Sequence, residues 1–167
     1  MAEVIILMGV SGCGKTTVGQ ALAERLGVSF YDADDYHPAE NVAKMSQGFP
    51  LNDDDRYPWL ARLHELITEH VVTGQGMVLG CSALKQKYRD QLRGEHENVH
   101  FVHLKGSFEL IWQRMSAREG HYMKAGMLRS QFEALEKPTT DEALVVSISG
   151  DVESIVDTIL QAWPYKK

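Results

Sequence analysis

The sequence predicts a three-layer α/β domain built on a parallel sheet of five strands. Three observations point there. Short apolar runs rich in β-branched residues recur at 4–8, 77–79, 99–104 and 144–148, the mark of strands buried on both faces. Segments with apolar residues at helical spacing alternate with them, which implies right-handed crossovers between parallel strands. A glycine-rich turn follows the first strand and opens the first helix, so ligands are expected at the carboxyl ends of the strands.

Taken in order, Val4-Ile5-Ile6-Leu7-Met8 is the first strand. Val18, Ala21, Leu22 and Leu26 mark the buried stripe of the first helix, and Gly27 stops it. Ser29-Phe30-Tyr31 is a short second strand ending at Asp32-Ala33-Asp34-Asp35. A polar helical segment runs from His37-Pro38 to about Gly48. A longer helix follows Asn52-Asp53-Asp54-Asp55, with Leu60, Leu63, Ile67 and Val71 inward. After the third strand at 77–79, Ser82 is expected to cap a helix over about 83–92. The fourth strand leads to a helix through Phe108, Ile111, Trp112 and Met115. Residues 119–127 are punctuated by glycine and lack a period, and another helix runs to about Leu135. The fifth strand precedes a last helix capped by Asp151, with Val152, Ile155, Val156, Ile159 and Leu160 on one face. No repeat or linker divides residues 1–167, so a single domain is expected.

The glycine-rich turn has a specific chemistry. Gly9-Val10-Ser11-Gly12-Cys13-Gly14-Lys15-Thr16-Thr17 fits the phosphate-binding pattern of glycine, four residues, glycine, lysine and a hydroxyl. Glycines let successive backbone N–H groups curl around phosphate oxygens, and the following helix dipole favours the anion. Lys15 is suited to the β- and γ-phosphates of a nucleoside triphosphate, and the Thr16 hydroxyl to Mg²⁺. The dinucleotide fingerprint, Gly-x-Gly-x-x-Gly, is not matched. The architecture expected is therefore that of the P-loop mononucleotide kinases.

Carboxylates and cations are placed around this loop. Strand alternation would send Asp32 and Asp34 to one side, where one holds Mg²⁺ and the other takes a proton from a substrate hydroxyl. The acidic run 52–55 is accounted for by the helix dipole alone, but Arg56 after it needs an anion opposite. Lys85 and Arg89, four apart, would share a helical face. Arg114 and Arg118 introduce the segment 119–127, which suits a closing lid that brings a cation to the transferring phosphoryl group. The histidines build no metal site: His64-Glu65-x-x-Thr68 has threonine where a zinc motif needs its second histidine. Mg²⁺ is expected to arrive with the nucleotide.

Composition sets the outer bounds. The chain is 44% hydrophobic and 24% charged, as soluble globular domains are. A net charge of -6 argues against a general nucleic-acid or anionic-membrane binder. No apolar run spans a bilayer and no signal peptide fits, and Cys13 and Cys81 form no C-x-x-C pair. A reducing cytoplasm is the expected location. A GTPase switch is disfavoured, because its Asn-Lys-x-Asp and Asp-x-x-Gly elements do not occur.

Longer blocks narrow the reading. They are Asp32-Ala33-Asp34-Asp35-Tyr36-His37-Pro38 and Lys44-Met45-x-x-Gly48-x-Pro50-Leu51-Asn52-Asp53-Asp54-Asp55-Arg56-x-Pro58-Trp59-Leu60. Cys81-Ser82-Ala83-Leu84-Lys85-x-x-Tyr88-Arg89-Asp90, Gly120-His121-Tyr122-Met123 and Ser130-Gln131-Phe132-Glu133-x-Leu135-Glu136 follow. With the phosphate loop, this series resembles the bacterial and animal gluconokinases over nearly the whole chain. The resemblance implies transfer from ATP, with Mg²⁺, to the 6-hydroxyl of D-gluconate, a shikimate/adenylate-kinase-like fold with a mobile lid, and often a homodimer. The family commonly carries proline after Gly-His-(aromatic)-Met, where this chain has Lys124-Ala125-Gly126, so the lid is expected to be more mobile. Gluconate's carboxylate and five hydroxyls suit Arg56, Lys85 and Arg89 as cations and Asp34, His37 and Ser82 as hydroxyl partners. On this reading Lys15, Mg²⁺ and Arg118 neutralise the γ-phosphoryl group while Asp34 is the base. The alternative is another P-loop small-molecule kinase, of the shikimate- or nucleoside-monophosphate-kinase type.

Overall fold

The computed structural model describes residues 3–117 and 125–162. Five parallel strands form one sheet: β1 (Val4–Met8), β2 (Ser29–Asp32), β3 (Met77–Gly80), β4 (Val99–Lys105) and β5 (Ala143–Ser147). Their spatial order is β2-β3-β1-β4-β5, with β1 at the centre. The helices are α1 (Lys15–Leu26), α2 (Ala39–Ser46), α3 (Asp53–Thr73), α4 (Gln86–Arg93), α5 (Phe108–Ser116), α6 (Ala125–Ala134) and α7 (Val152–Ala162). Of the expected lid, residues 119–124 lie outside the described residues, as does Arg118, and 125–127 open α6.

Alternation along β1 explains the layers. Ile5 and Leu7 pack with α1, α5 and α7 through Val18, Leu22, Ile111, Met115, Ile155 and Ile159. Val4, Ile6 and Met8 turn to the other face, against Leu60, Leu63 and Ile67 of α3 and Leu92 of α4. All five β1 residues are buried. At about 25 cal/mol per Å² of apolar surface, burial on both faces fixes the strand that aims the phosphate loop.

Two helix starts bear on the site. Asn52 caps α3 by accepting from Asp55 N–H at 2.8 Å, and the Asp55 carboxylate accepts from Asn52 N–H at 2.9 Å, a reciprocal capping box. The expected Ser82 cap is not observed. Lys85 is the N-cap of α4, and Ala83 holds φ of 45° in the preceding turn. That turn is held open by tertiary contacts: the Ala83 carbonyl accepts from Arg89, and the Leu84 carbonyl from Glu136 N–H.

Candidate active site

The loop between β1 and α1 is shaped for an anion. Gly14 is the N-cap of α1 in a left-handed conformation, and no side chain caps the helix. The first-turn N–H groups are thereby left to an external acceptor. Gly12 has φ of 82°, and a Cβ there would meet Met115 Cγ at 2.4 Å. Only glycine lets the loop backbone lie that close to α5. Lys15 Nζ donates to the Gly9 carbonyl at 3.0 Å and the Val10 carbonyl at 3.1 Å, so its charge already sits inside the loop's curve.

A cleft of about 280 Å³ runs from this loop to the ends of β2 and β3, lined by Ser11, Lys15, Thr16, Asp32, Asp34 and Ser82 among others. Asp32 and Asp34 share this cleft, although by a turn rather than by strand alternation. β2 ends at Asp32, whose Oδ1 accepts from Asp34 N–H at 2.9 Å at the head of a 3-10 turn, Ala33–Tyr36. Solvent still reaches Asp34, but crowding by the cleft walls, and then the Asp32 charge, push its carboxyl above the ordinary carboxylate range. His37 and Lys15 act the other way, less strongly. The Thr16 hydroxyl and the Asp32 carboxylate are hard oxygen ligands that fit Mg²⁺. Among the described residues no cluster of three His, Cys, Asp or Glu side chains could hold a metal alone. The ion would need nucleotide oxygens and water to complete its shell. Cys81 lines the same cleft, but burial pushes its thiol up to about 12, which removes it as a nucleophile at neutral pH.

The acceptor side is held by α2, α3 and α4. Trp59 donates from Nε1 to the Ala33 carbonyl at 2.7 Å, bracing the turn that carries Asp34. The His37 ring stacks on Trp59, centroids 4.2 Å apart and 16° from parallel. Burial depresses its pKa, Asp34 opposes that shift, and the Arg56 charge adds to it. Asn41, 4% exposed, places its amide nitrogen 2.9 Å from the Asp55 carbonyl and 3.2 Å from His37 Nδ1. An amide nitrogen only donates, so Nδ1 accepts and the proton of neutral His37 lies on Nε2.

Arg56 has the anion its position required. It contacts Asp53 at 3.5 Å, and Tyr88 Oη accepts from it at 3.1 Å while donating to Asp53 at 2.6 Å. Lys87 also pairs with Asp53, whose carboxyl is lowered to about 2, chiefly by that bond. Lys85 stands close enough to add to the effect. Arg56, Lys85 and Lys87 therefore gather positive charge around Asp53, and the Arg56 charge reaches His37.

The shikimate kinase family profile matches residues 11–163. A gluconokinase of Gluconobacter oxydans (strain 621H) is 50% identical over 147 residues, covering 88% of this chain and 82% of that one. The thermosensitive gluconokinase of Escherichia coli (strain K12) is 46% identical over 162 residues, covering 96% and 87%. A crystal structure of a gluconokinase from Sinorhizobium meliloti 1021 superposes with a TM-score of 0.86 at 42% identity, covering 95% and 90%. The chain belongs to the gluconokinase family. A shikimate kinase from Bacteroides thetaiotaomicron, with a TM-score of 0.68 at 20% identity and coverage of 95% and 97%, shares the fold.

Within this gluconokinase-family site one expected ligand residue is withdrawn. Arg89 does not share an exposed face with Lys85, which precedes α4. Its side chain is 1% exposed and donates to Glu142 at 2.9 Å, the Ala83 carbonyl at 2.8 Å and the Glu136 carbonyl at 2.9 Å. Those partners leave its guanidinium committed to the protein. Ser82 lines the cleft without capping a helix, and its carbonyl accepts from Gly9 N–H at 3.2 Å. Arg114 lies in the last turn of α5, next to the Met115 that packs on Gly12. Trp59, Asn41 and Tyr88 are site-building residues that local patterns did not single out. A tryptophan four residues past the capping box Asn52–Asp55 signals burial, but nothing local tells where its N–H goes.

Proposed function

We propose that the protein transfers the γ-phosphoryl group of ATP to the 6-hydroxyl of D-gluconate, giving 6-phospho-D-gluconate and ADP. The carrying observation is one cleft that joins Lys15 and Thr16 of the phosphate loop to Asp32 and Asp34. Family membership supports the choice of acceptor. Loop N–H groups and Lys15 would hold the β- and γ-phosphates, with Arg114 and Arg118 as further cations on the nucleotide side. Thr16 and Asp32 would hold Mg²⁺, which when bound neutralises charge on the phosphate oxygens. Arg56 and Lys85 would bind the acceptor's carboxylate, while His37 and Ser82 hydrogen-bond its hydroxyls.

Asp34 would then orient the 6-hydroxyl in line with the γ-phosphorus and accept its proton as the new O–P bond forms. ADP leaves with the bridging oxygen. A carboxyl raised above its ordinary pKa is a better proton acceptor than a free aspartate. The transition state is loose, so positioning contributes at least as much as proton transfer. ADP formation measured with gluconate, shikimate, AMP and no acceptor tests the reading. Turnover above the acceptor-free rate is expected with gluconate alone, and a preference for shikimate or AMP would overturn it.

A further inference from the structure

The phosphate loop is gripped from outside by a residue to which neither the loop motif nor the proposed chemistry gives a role. Gln131 on α6 accepts from Ser11 N–H through Oε1 at 2.7 Å and donates from Nε2 to Ser11 Oγ at 2.9 Å. The two residues are 120 positions apart. A primary amide presents an acceptor and a donor side by side, which matches the N–H and hydroxyl of one serine. Gln131 has little freedom to leave. Leu128, one turn earlier on α6, is fully buried in the core shared with α5, and Phe132 packs edge-on against Phe108 with centroids 5.8 Å apart.

The far end of α6 is tied to the acceptor side. Glu136 N–H donates to the Leu84 carbonyl at 2.7 Å, and its carboxylate accepts from Gln86 N–H at 2.9 Å. Arg89 donates to the Glu136 carbonyl at 2.9 Å. One short stretch thus holds both the nucleotide loop and the turn after β3 that carries Ser82.

We infer that Gln131 is a positioning residue that sets the conformation of the phosphate loop for nucleotide binding, rather than a surface contact of α6. This inference rests on the nucleotide reading above. The Ser11 N–H is committed to Gln131 and the Cys13 N–H to the Val10 carbonyl at 3.3 Å, which leaves the N–H groups of Gly12 and of Gly14 to Thr16 for phosphate oxygens. With Ser11 pinned, the loop enters binding already ordered. Without the pin, that ordering cost is charged against nucleotide affinity. Affinity for the acceptor draws on Arg56, Lys85 and the turn at Ala33–Tyr36, and is not expected to move.

The test is a titration of MgATP into wild type, Gln131→Met, Gln131→Glu, Ser11→Ala and the Ser11→Ala/Gln131→Met pair, without acceptor. Melting temperatures and the KM for gluconate are measured alongside. Gln131→Met keeps the side-chain length and removes both hydrogen bonds, so MgATP affinity should fall about tenfold. Ser11→Ala keeps the N–H bond and should lose roughly threefold. The double variant should bind no worse than Gln131→Met alone, since one removal already breaks the pair. Gln131→Glu can still accept from Ser11, so it keeps the fold, but its charge beside the phosphates should weaken MgATP by more than tenfold and in a salt-dependent way. KM for gluconate should stay within about twofold throughout, a split that simple destabilisation would not produce. If Gln131→Met and Gln131→Glu bind MgATP within about twofold of wild type, or the single effects multiply in the double variant, the inference is overturned. Failure of the wild type to bind MgATP would instead overturn the nucleotide reading itself.

Discussion

Arg89 on α4 donates from Nε to the Glu142 carboxylate at 2.9 Å while only 1% of its side chain is exposed. Glu142 is 12% exposed, so both charges depend on each other for what water would supply. Removing one member of such a pair leaves the other buried and uncompensated, at a cost of about 3–5 kcal/mol. Arg89→Met should therefore lower the melting temperature by roughly 10 °C in a chain of this size. Its KM for gluconate, measured well below that temperature, should change little. A variant with unchanged melting temperature and a raised KM would return Arg89 to the substrate pocket.

Arg56 is predicted to behave in the opposite way. Its side chain is about one-third exposed and lies against Asp53 and Tyr88, close enough to His37 for its charge to lower that ring's pKa. A charge-assisted hydrogen bond to a carboxylate contributes about 1.5–3 kcal/mol. Arg56→Ala should raise KM for gluconate by roughly 10- to 100-fold, with kcat and KM for ATP little altered, because the carboxylate does not change during transfer. Collapse of ATP affinity instead would put Arg56 on the nucleotide side.

Contrasting these two arginines shows what was legible in the chain. The phosphate loop, the strand before it and the helix after it lie within residues 4–26, so local spacing reveals their assembly. Asp32 and Asp34 were legible for the same reason, although a 3-10 turn rather than a strand brings them together. Arg89 was misread because its burial is set by Glu136 and Glu142, 47 and 53 residues away. The Arg89 bond to the Ala83 carbonyl likewise holds open the turn before α4, where a helix capped by Ser82 was expected. Gln131 and Ser11 are more distant still, and no periodicity along α6 distinguishes an outward glutamine that grips a loop from one that meets water.

His103 supplies a pH prediction. It is 4% exposed on β4, and burial, then the charges of Lys105, Arg89 and Lys137, push its pKa down to about 4. The unfolded chain binds this proton near the ordinary value of about 6.5, so between those values unfolding takes up a proton. Stability should fall as pH drops from 6.5 toward 4, with about 2 kcal/mol of the loss between pH 7 and pH 5 coming from this histidine. His103→Gln removes that contribution while other titrations remain. The variant's melting temperature should drop roughly 5 °C less than wild type over that interval, as read by calorimetry. Parallel curves would show that His103 is protonated equally in both states.

The pair of aspartates at the end of β2 separates metal binding from proton transfer. Asp34 is raised by its surroundings and stands beside Lys15 and His37, whereas the Asp32 carboxylate is already engaged by Asp34 N–H. Asp34→Asn keeps size and hydrogen-bonding capacity but cannot take up the hydroxyl proton. Its kcat should fall about 10²–10⁴-fold with KM for gluconate mostly retained. Asp32→Asn weakens a metal-associated carboxylate, a defect that mass action can offset. Raising Mg²⁺ at saturating gluconate should therefore restore much of the Asp32→Asn rate and little of the Asp34→Asn rate. Rescue of Asp34→Asn alone would exchange the two roles. If neither substitution lowers kcat, the loose transition state needs no base here, and alignment of the hydroxyl with the γ-phosphorus carries the step.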